Sequence, residues 1–122
     1  MVRALFALAL VVACFAPASR AQTVPNLNTT PLSRFDPYSA YNDIWGYTAP
    51  DGREYACVGM NAGFMIVNCS DPLAPYETGY FPGGLCTWRD LKTFGHYLYV
   101  VNDCSPGVEV VDLSDPENPV WV

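Results

Sequence analysis

Residues Tyr55 to Pro72 and Tyr99 to Pro116 read as two copies of one passage, aligned without a gap at an offset of 44. Gly63 falls on Gly107, Ile66-Val67 on Val110-Val111, Ser70-Asp71-Pro72 on Ser114-Asp115-Pro116, and Pro75 on Pro119. Self-similarity at a period of about 40–50 residues marks a repeat architecture, because one unit cannot bury its own apolar faces and must stack on another. Within the unit Val, Tyr, Phe, Trp and Ile dominate, and no stretch after Ala21 has helical spacing of apolar residues. The expected fold class is therefore all-β: four-stranded antiparallel blades of a β-propeller, about two of them, the second truncated at Val122. A closed propeller takes about four to eight blades. The chain thus reads as the front end of a larger protein, with the remaining blades as its first partners.

Four strands are expected in blade 1 (residues 41–82): Asp43–Thr48, Arg53–Met60, Phe64–Cys69 and Tyr76–Phe81. Pro50-Asp51-Gly52 and Asn61-Ala62 supply its tight turns, and Pro72 and Pro75 interrupt the third connection. Blade 2 (residues 83–122) repeats the order with Trp88–Phe94, Tyr97–Asp103, Val108–Leu113 and Val120–Val122. Its first turn, at Gly95-His96, is shorter. That difference accounts for Asp43 and Asp90 lying 47 apart while everything downstream lies 44 apart. Near-continuous apolar runs such as Phe64-Met65-Ile66-Val67 fit sheets covered on both faces.

Met1 to Ala21 has the pattern of an export signal. Arg3 precedes an apolar run from Ala4 to Ala16, and Ser19-Arg20-Ala21 offers small residues for cleavage before Gln22. The run is shorter than the roughly 20 residues a spanning helix needs. Val11-Val12-Ala13-Cys14 is a looser match to a lipoprotein signal that would make Cys14 the lipidated N-terminus. Either route takes the protein out of the cytoplasm, to a secreted, cell-surface or periplasmic location. Residues 22–40 carry Pro25, Pro31 and Pro37 without periodicity and read as an extended lead-in, part of which can fold onto blade 1 through Phe35, Tyr38 and Tyr41. With Arg3 and Arg20 removed, four Lys/Arg stand against 12 Asp/Glu, a balance of −8. No basic cluster is present, so nucleic acid and anionic lipid are poor partners. No segment after Ala21 is apolar enough for a membrane span.

Tyr41-Asn42-Asp43-Ile44-Trp45-Gly46-Tyr47, Thr87-Trp88-Arg89-Asp90-Leu91-Lys92, Ile66-Val67-Asn68-Cys69-Ser70-Asp71-Pro72 and Val110-Val111-Asp112-Leu113-Ser114-Asp115-Pro116 together carry a resemblance. They are similar to the N-terminal part of the choice-of-anchor B family, extracellular proteins built from LVIVD-type propeller repeats. The resemblance runs from residue 30 to residue 122. It implies a secreted β-propeller whose C-terminal anchor differs between members, and it brings no catalytic residues to carry across.

Few side chains have the spacing of a chemical site. If Trp88–Phe94 and Tyr97–Asp103 form a hairpin, facing positions have numbers adding to about 190, as 86 and 104 do. A disulfide between Cys86 and Cys104 is expected, in keeping with an oxidising compartment. Cys57 and Cys69 stand about three rungs apart across their hairpin, too far to be bridged, and read as small buried hydrophobes. His96 reads as a turn residue. Asp43 and Asp90 occupy the same place at the start of each blade. A ring of such carboxylates is a candidate calcium site; the alternative is that each accepts backbone N–H groups and closes its own loop. Asn28-Thr29-Thr30 fits the glycosylation pattern for a eukaryotic host, and Asn68-Cys69-Ser70 fits it less well at a strand end. No nucleophile elbow or phosphate loop is present. The reading that results is a non-catalytic binding or surface-interaction scaffold for an extracellular protein, peptide or glycan. Its alternatives are a calcium-stabilised structural propeller and an enzyme whose channel site is completed by missing blades.

Overall fold

The computed structural model describes residues 28–122; the signal segment 1–21, with Cys14 and both processing routes, lies outside the described residues. Eight strands form two four-stranded antiparallel meanders. The first sheet, blade 1, contains β1 (Tyr41–Thr48), β2 (Glu54–Met60), β3 (Gly63–Asn68) and β4 (Tyr76–Pro82) in sequence order. Blade 2 contains β5 (Arg89–Phe94), β6 (Tyr97–Asn102), β7 (Glu109–Asp112) and β8 (Val120–Trp121). The fold class expected from the repeat is the one observed. Individual ends differ by a residue or two: β1 begins at Tyr41 rather than Asp43, and β7 is trimmed to four residues.

The gapless offset of 44 does not survive. Register shows it directly. Asp43 faces Gly59 in blade 1 and Asp90 faces Val101 in blade 2; Cys57 faces Ile66 and Tyr99 faces Val110. Those pairs superpose β5 on β1 at an offset of 47, β6 on β2 at 42 and β7 on β3 at 44. The short Gly95-His96 turn therefore removes five residues, not three, and the longer connection between β6 and β7 restores two. Tyr55 is equivalent to Tyr97, not to Tyr99. Blade 2 carries tyrosines two residues apart, at Tyr97 and Tyr99, so Tyr55 meets a tyrosine at either offset.

Packing follows from alternation. One face of blade 1 presents Tyr47, Tyr55, Cys57, Phe64, Ile66 and Phe81 to Leu91, Leu98, Val100, Val111 and Leu113 of blade 2, and these form one buried cluster. Phe64 and Phe81 stack at 4.9 Å, and Trp121 from β8 meets both rings edge-on at 5.6 and 5.0 Å. Each such side chain taken fully out of water contributes about 1.5–3 kcal/mol. The opposite face of blade 1 carries Met60, Met65 and Val67, with Ala56, Val58 and Cys69 around them, and Phe35 of the lead-in packs on it. The lead-in is tied down further by Ser33 Oγ donating to the Pro72 carbonyl at 2.7 Å and by Tyr38 stacked on Tyr80 at 5.0 Å. Covered on both sides, β3 is buried along its whole length.

Two glycines are dictated by space. Gly59 lets blade 2 approach; a Cβ there would meet Leu91 Cδ1 at 2.8 Å and collide with the Asn42 side chain. Gly63, after the two-residue Asn61-Ala62 turn, has φ of 144° and backs onto the Phe81 carbonyl of β4. A side chain there faces both backbone strain and a rigid backbone obstacle. Gly63→Ala is expected to lower unfolding free energy by about 2 kcal/mol or more, read by urea denaturation; an unchanged midpoint would show that β4 moves aside freely.

Candidate functional site

Polar contacts between the blades are made by residues from both ends of the sheets. A bulge in β1 between Tyr41 and Asp43 turns two successive side chains toward blade 2. Asn42 Nδ2 donates to the Thr87 carbonyl at 3.0 Å, and Asp43 Oδ2 accepts the Leu91 N–H at 2.9 Å. Trp45 Nε1 donates to Thr93 Oγ1 at 2.9 Å, with Lys92 Nζ 4.5 Å from the indole ring. Asp43 thus closes the joint to the next blade rather than its own loop. Asp90 lies beside Asp43, and the Lys92 ammonium at 2.7 Å holds its carboxyl below the usual carboxylate range. Two carboxylates supply few of the six or more oxygens that calcium takes. Among the described residues, no three His, Cys, Asp or Glu side chains converge as a metal site.

At the other end, Glu117 spans the interface. Its loop is held by Asp115, which accepts the Glu117 N–H at 3.2 Å and the Asn118 Nδ2 at 2.9 Å. So presented, Glu117 Oε1 accepts from Tyr55 Oη at 2.6 Å, Asn68 Nδ2 at 2.7 Å and Arg53 Nη1 at 2.9 Å, and Oε2 accepts from Tyr76 Oη at 2.9 Å. Four donors, three on strands β2, β3 and β4 and Arg53 from the β1–β2 connection, meet one carboxylate of blade 2. The Tyr55 hydroxyl, then the Asn68 and Tyr76 donors, hold the Glu117 carboxyl below its ordinary pKa; burial, then the facing carboxylate, push the Tyr55 hydroxyl up. With its lone pairs committed, Glu117 is a structural acceptor and not a free base. The sequence pattern does not single out Glu117. The repeat carries no hint of its role, since the equivalent residue in blade 1 is Leu73 and the donors sit 41 to 64 residues away.

The remaining expected residues fall in separate places. Cys86 and Cys104 are bonded, with Cα atoms 5.7 Å apart. Hairpin register runs one residue off the expected one, with Arg89 facing Asn102, and the cysteines lie just past the last rungs. Closing a sequence separation of 18 contributes about 2–4 kcal/mol by restricting the unfolded chain. Cys57 and Cys69 are free. Burial pushes the Cys57 thiol up to about 12, so it is no nucleophile at neutral pH. His96 sits in the β5–β6 turn, 4.0 Å from Asp112. Asn28 is exposed. Asn68 is buried with its amide nitrogen donating to Glu117 and Tyr76, which leaves no room for a glycan. Arg89, named in the sequence only as part of the Thr87–Lys92 segment, is a buried guanidinium that donates to the Met60 and Gly84 carbonyls at 3.3 and 3.2 Å and ties the inter-blade connection to both sheets.

Two surfaces are left open. The disulfide joins the inter-blade connection to the β6–β7 loop, and that connection exposes Leu85 (81 %) and Trp88 (69 %). On the back of blade 1 lies a groove of about 630 Å³ lined by Phe35, Ile44, Ala56, Val58, Met65 and Val67. Among the described residues, no helix is long and apolar enough to cross a membrane.

Two four-stranded antiparallel sheets joined face to face define a propeller-type repeat protein. The LVIVD repeat family matches residues 53–81 and 88–122, more than half of the chain, and each match falls on one of the two sheets. This chain belongs to the LVIVD repeat family. No curated protein and no solved structure matches it.

The Glu117 clasp fixes a pH dependence. Its folded pKa lies below the ordinary 4.5, so the stabilisation is present above that value and is lost as pH falls through the lowered folded pKa. Thermal melting is expected to fall below pH 4.5 more steeply in the wild type than in Glu117→Gln. At pH 7, Glu117→Ala is expected to cost about 1–3 kcal/mol, because it strands the Tyr55 and Asn68 donors. Equal acid profiles for wild type and Glu117→Gln would remove Glu117 from the account.

Proposed function

We propose that this chain belongs to an exported β-propeller of the choice-of-anchor B type and serves as a non-catalytic scaffold that binds an extracellular protein, peptide or glycan. The observation that carries this reading is the disulfide-clamped end. Its apolar side chains, Leu85 and Trp88, are held out into solvent by a covalent link between two loops on rigid sheets. Large exposed apolar groups on a constrained surface are contact residues by preference. A disulfide agrees with an oxidising compartment, and the Tyr41–Tyr47 and Thr87–Lys92 segments carry the family resemblance.

The test is a glycan array and an array of extracellular domains, each probed with the full chain and with Leu85→Ala/Trp88→Ala. Binding that drops at least tenfold in the double variant, with unchanged thermal melting, supports the reading; the loss of one aromatic contact residue commonly costs about 1–2 kcal/mol or more. Binding that ignores both residues, or the absence of any ligand alongside turnover of a substrate, would overturn it. In a eukaryotic secretory host, mass spectrometry is expected to find a glycan on Asn28 and none on Asn68, whose amide is buried; occupancy at Asn68 would contradict the clasp.

A further inference from the structure

The two segments that the disulfide joins are held very differently. Residues 83–88, the connection between the blades, dock on blade 1 without help from the sulfur bond. The Gly83 N–H donates to the Ala62 carbonyl at 2.8 Å, and the Cys86 N–H donates to the Asn61 carbonyl at 2.9 Å. Asn42 Nδ2 donates to the Thr87 carbonyl at 3.0 Å, and the buried Arg89 guanidinium donates to the Gly84 carbonyl at 3.2 Å. Residues 103–108, the β6–β7 loop, have no such anchorage. The Asp103 N–H reaches the Trp88 carbonyl at 3.3 Å. Beyond it, among the described residues, the loop's hydrogen bonds run back to its own stem. Asn102 Oδ1 accepts the Cys104 and Ser105 N–H groups and Ser105 Oγ. Cys86–Cys104 is the tie that carries Cys104 and the residues after it across to the connection.

The two sulfurs are also unequal. Cys86 is 3 % exposed, whereas Cys104 is exposed. Cys104 points to the connection on the blade 1 side, away from the outer face of blade 2 that carries Asp90 and Val101, so its exposure is not that of the open sheet face. Cys86 Sγ lies 3.3 Å from the Trp88 carbonyl oxygen. An acceptor is therefore already in place for the proton that a Cys86 thiol would carry. An accessible disulfide sulfur is open to attack by a thiolate, and exposed disulfides are the labile and regulatory ones.

We propose that Cys86–Cys104 is a reversible redox latch, opened by a dithiol reductant, that uncouples the β6–β7 loop from the connection bearing Leu85 and Trp88. One thiolate of the reductant bonds to Cys104 Sγ, the Cys86–Cys104 bond breaks, and Cys86 leaves as a thiolate that takes up a proton. The reductant's second thiolate then displaces Cys104, which is protonated in turn. The reductant departs as a disulfide and the chain keeps two thiols, having gained two electrons. The inference rests on the reading of this end as the contact surface. Oxidised, the loop and the connection form one rigid surface. Reduced, the connection stays on blade 1 and the loop is released from it.

The test treats the full chain with excess dithiothreitol and no denaturant, then alkylates the thiols and reads them by peptide mass spectrometry and hydrogen exchange. Cys57 is the internal control, because it is wholly buried and becomes reactive only when the fold opens. Cys104 is expected to be alkylated while Cys57 is not. Exchange at the Cys104, Ser105, Gly107 and Val108 amides is expected to speed by about tenfold or more, with the Gly83 and Cys86 amides unchanged. Cys104→Ser is expected to show the same exchange pattern without reductant; should it not fold, the reduced wild type carries the test. Labelling of Cys57 together with Cys104 overturns the latch, because the bond then opens only with the fold. So does faster exchange through residues 83–88, or none in the loop. These readouts need no ligand. With a ligand in hand, binding is expected to fall about tenfold on reduction and to return on reoxidation. Binding indifferent to reduction overturns the latch and leaves the contact surface standing, whereas no binding by the oxidised chain overturns the contact surface itself.

Discussion

A four-stranded sheet with large apolar side chains on both faces cannot stand alone in water, and the rest of this structure depends on that constraint. Blade 1 is such a sheet: β3 has no exposed residue at all. Its front is covered by blade 2 and part of its back by the lead-in around Phe35. The polar contacts are arranged around this burial. Asp43 and Asn42 secure the inner strands, Glu117 secures the far end, and Arg89 anchors the connection between them. The apolar layer supplies most of the free energy, while the polar joints select the angle and register at which the blades meet.

The joints are not repeated, although the blades are. Glu117 meets Tyr55, Asn68, Tyr76 and Arg53, but blade 2 offers Tyr97, Asp112 and Val120 at the first three of those places. A glutamate arriving on the outer face of blade 2 would meet Asp112 and be repelled. The interface between the two blades thus carries a polar code of its own over a common apolar plan, which is one way a repeat protein keeps its units in order.

Loop lengths record where the units have diverged. Blade 2 shortens the β5–β6 turn to Gly95-His96 and lengthens the β6–β7 connection, and the longer connection bears the disulfide. The extra residues and the covalent link coincide at the end that exposes Leu85 and Trp88. Loops tolerate such change because they contribute little to the buried layer, and that freedom is why binding surfaces accumulate on them.

The strands, their order and the two-unit plan were legible in the sequence, because alternation and turn residues are local signals. Cys86–Cys104 was legible for the same reason, since a tight hairpin confines both partners and a register error of one still left them adjacent. Cys57 and Cys69 were correctly kept apart by strand rise alone. What the sequence could not determine was which blade residue stands for which: two loops exchanged length in opposite senses, and the apolar pattern matched well enough at the wrong offset to conceal it. Nor could it show Glu117 among its four donors or Asp43 reaching into the neighbouring blade. Those contacts join residues that no periodicity relates, and they exist only once two sheets have packed face to face.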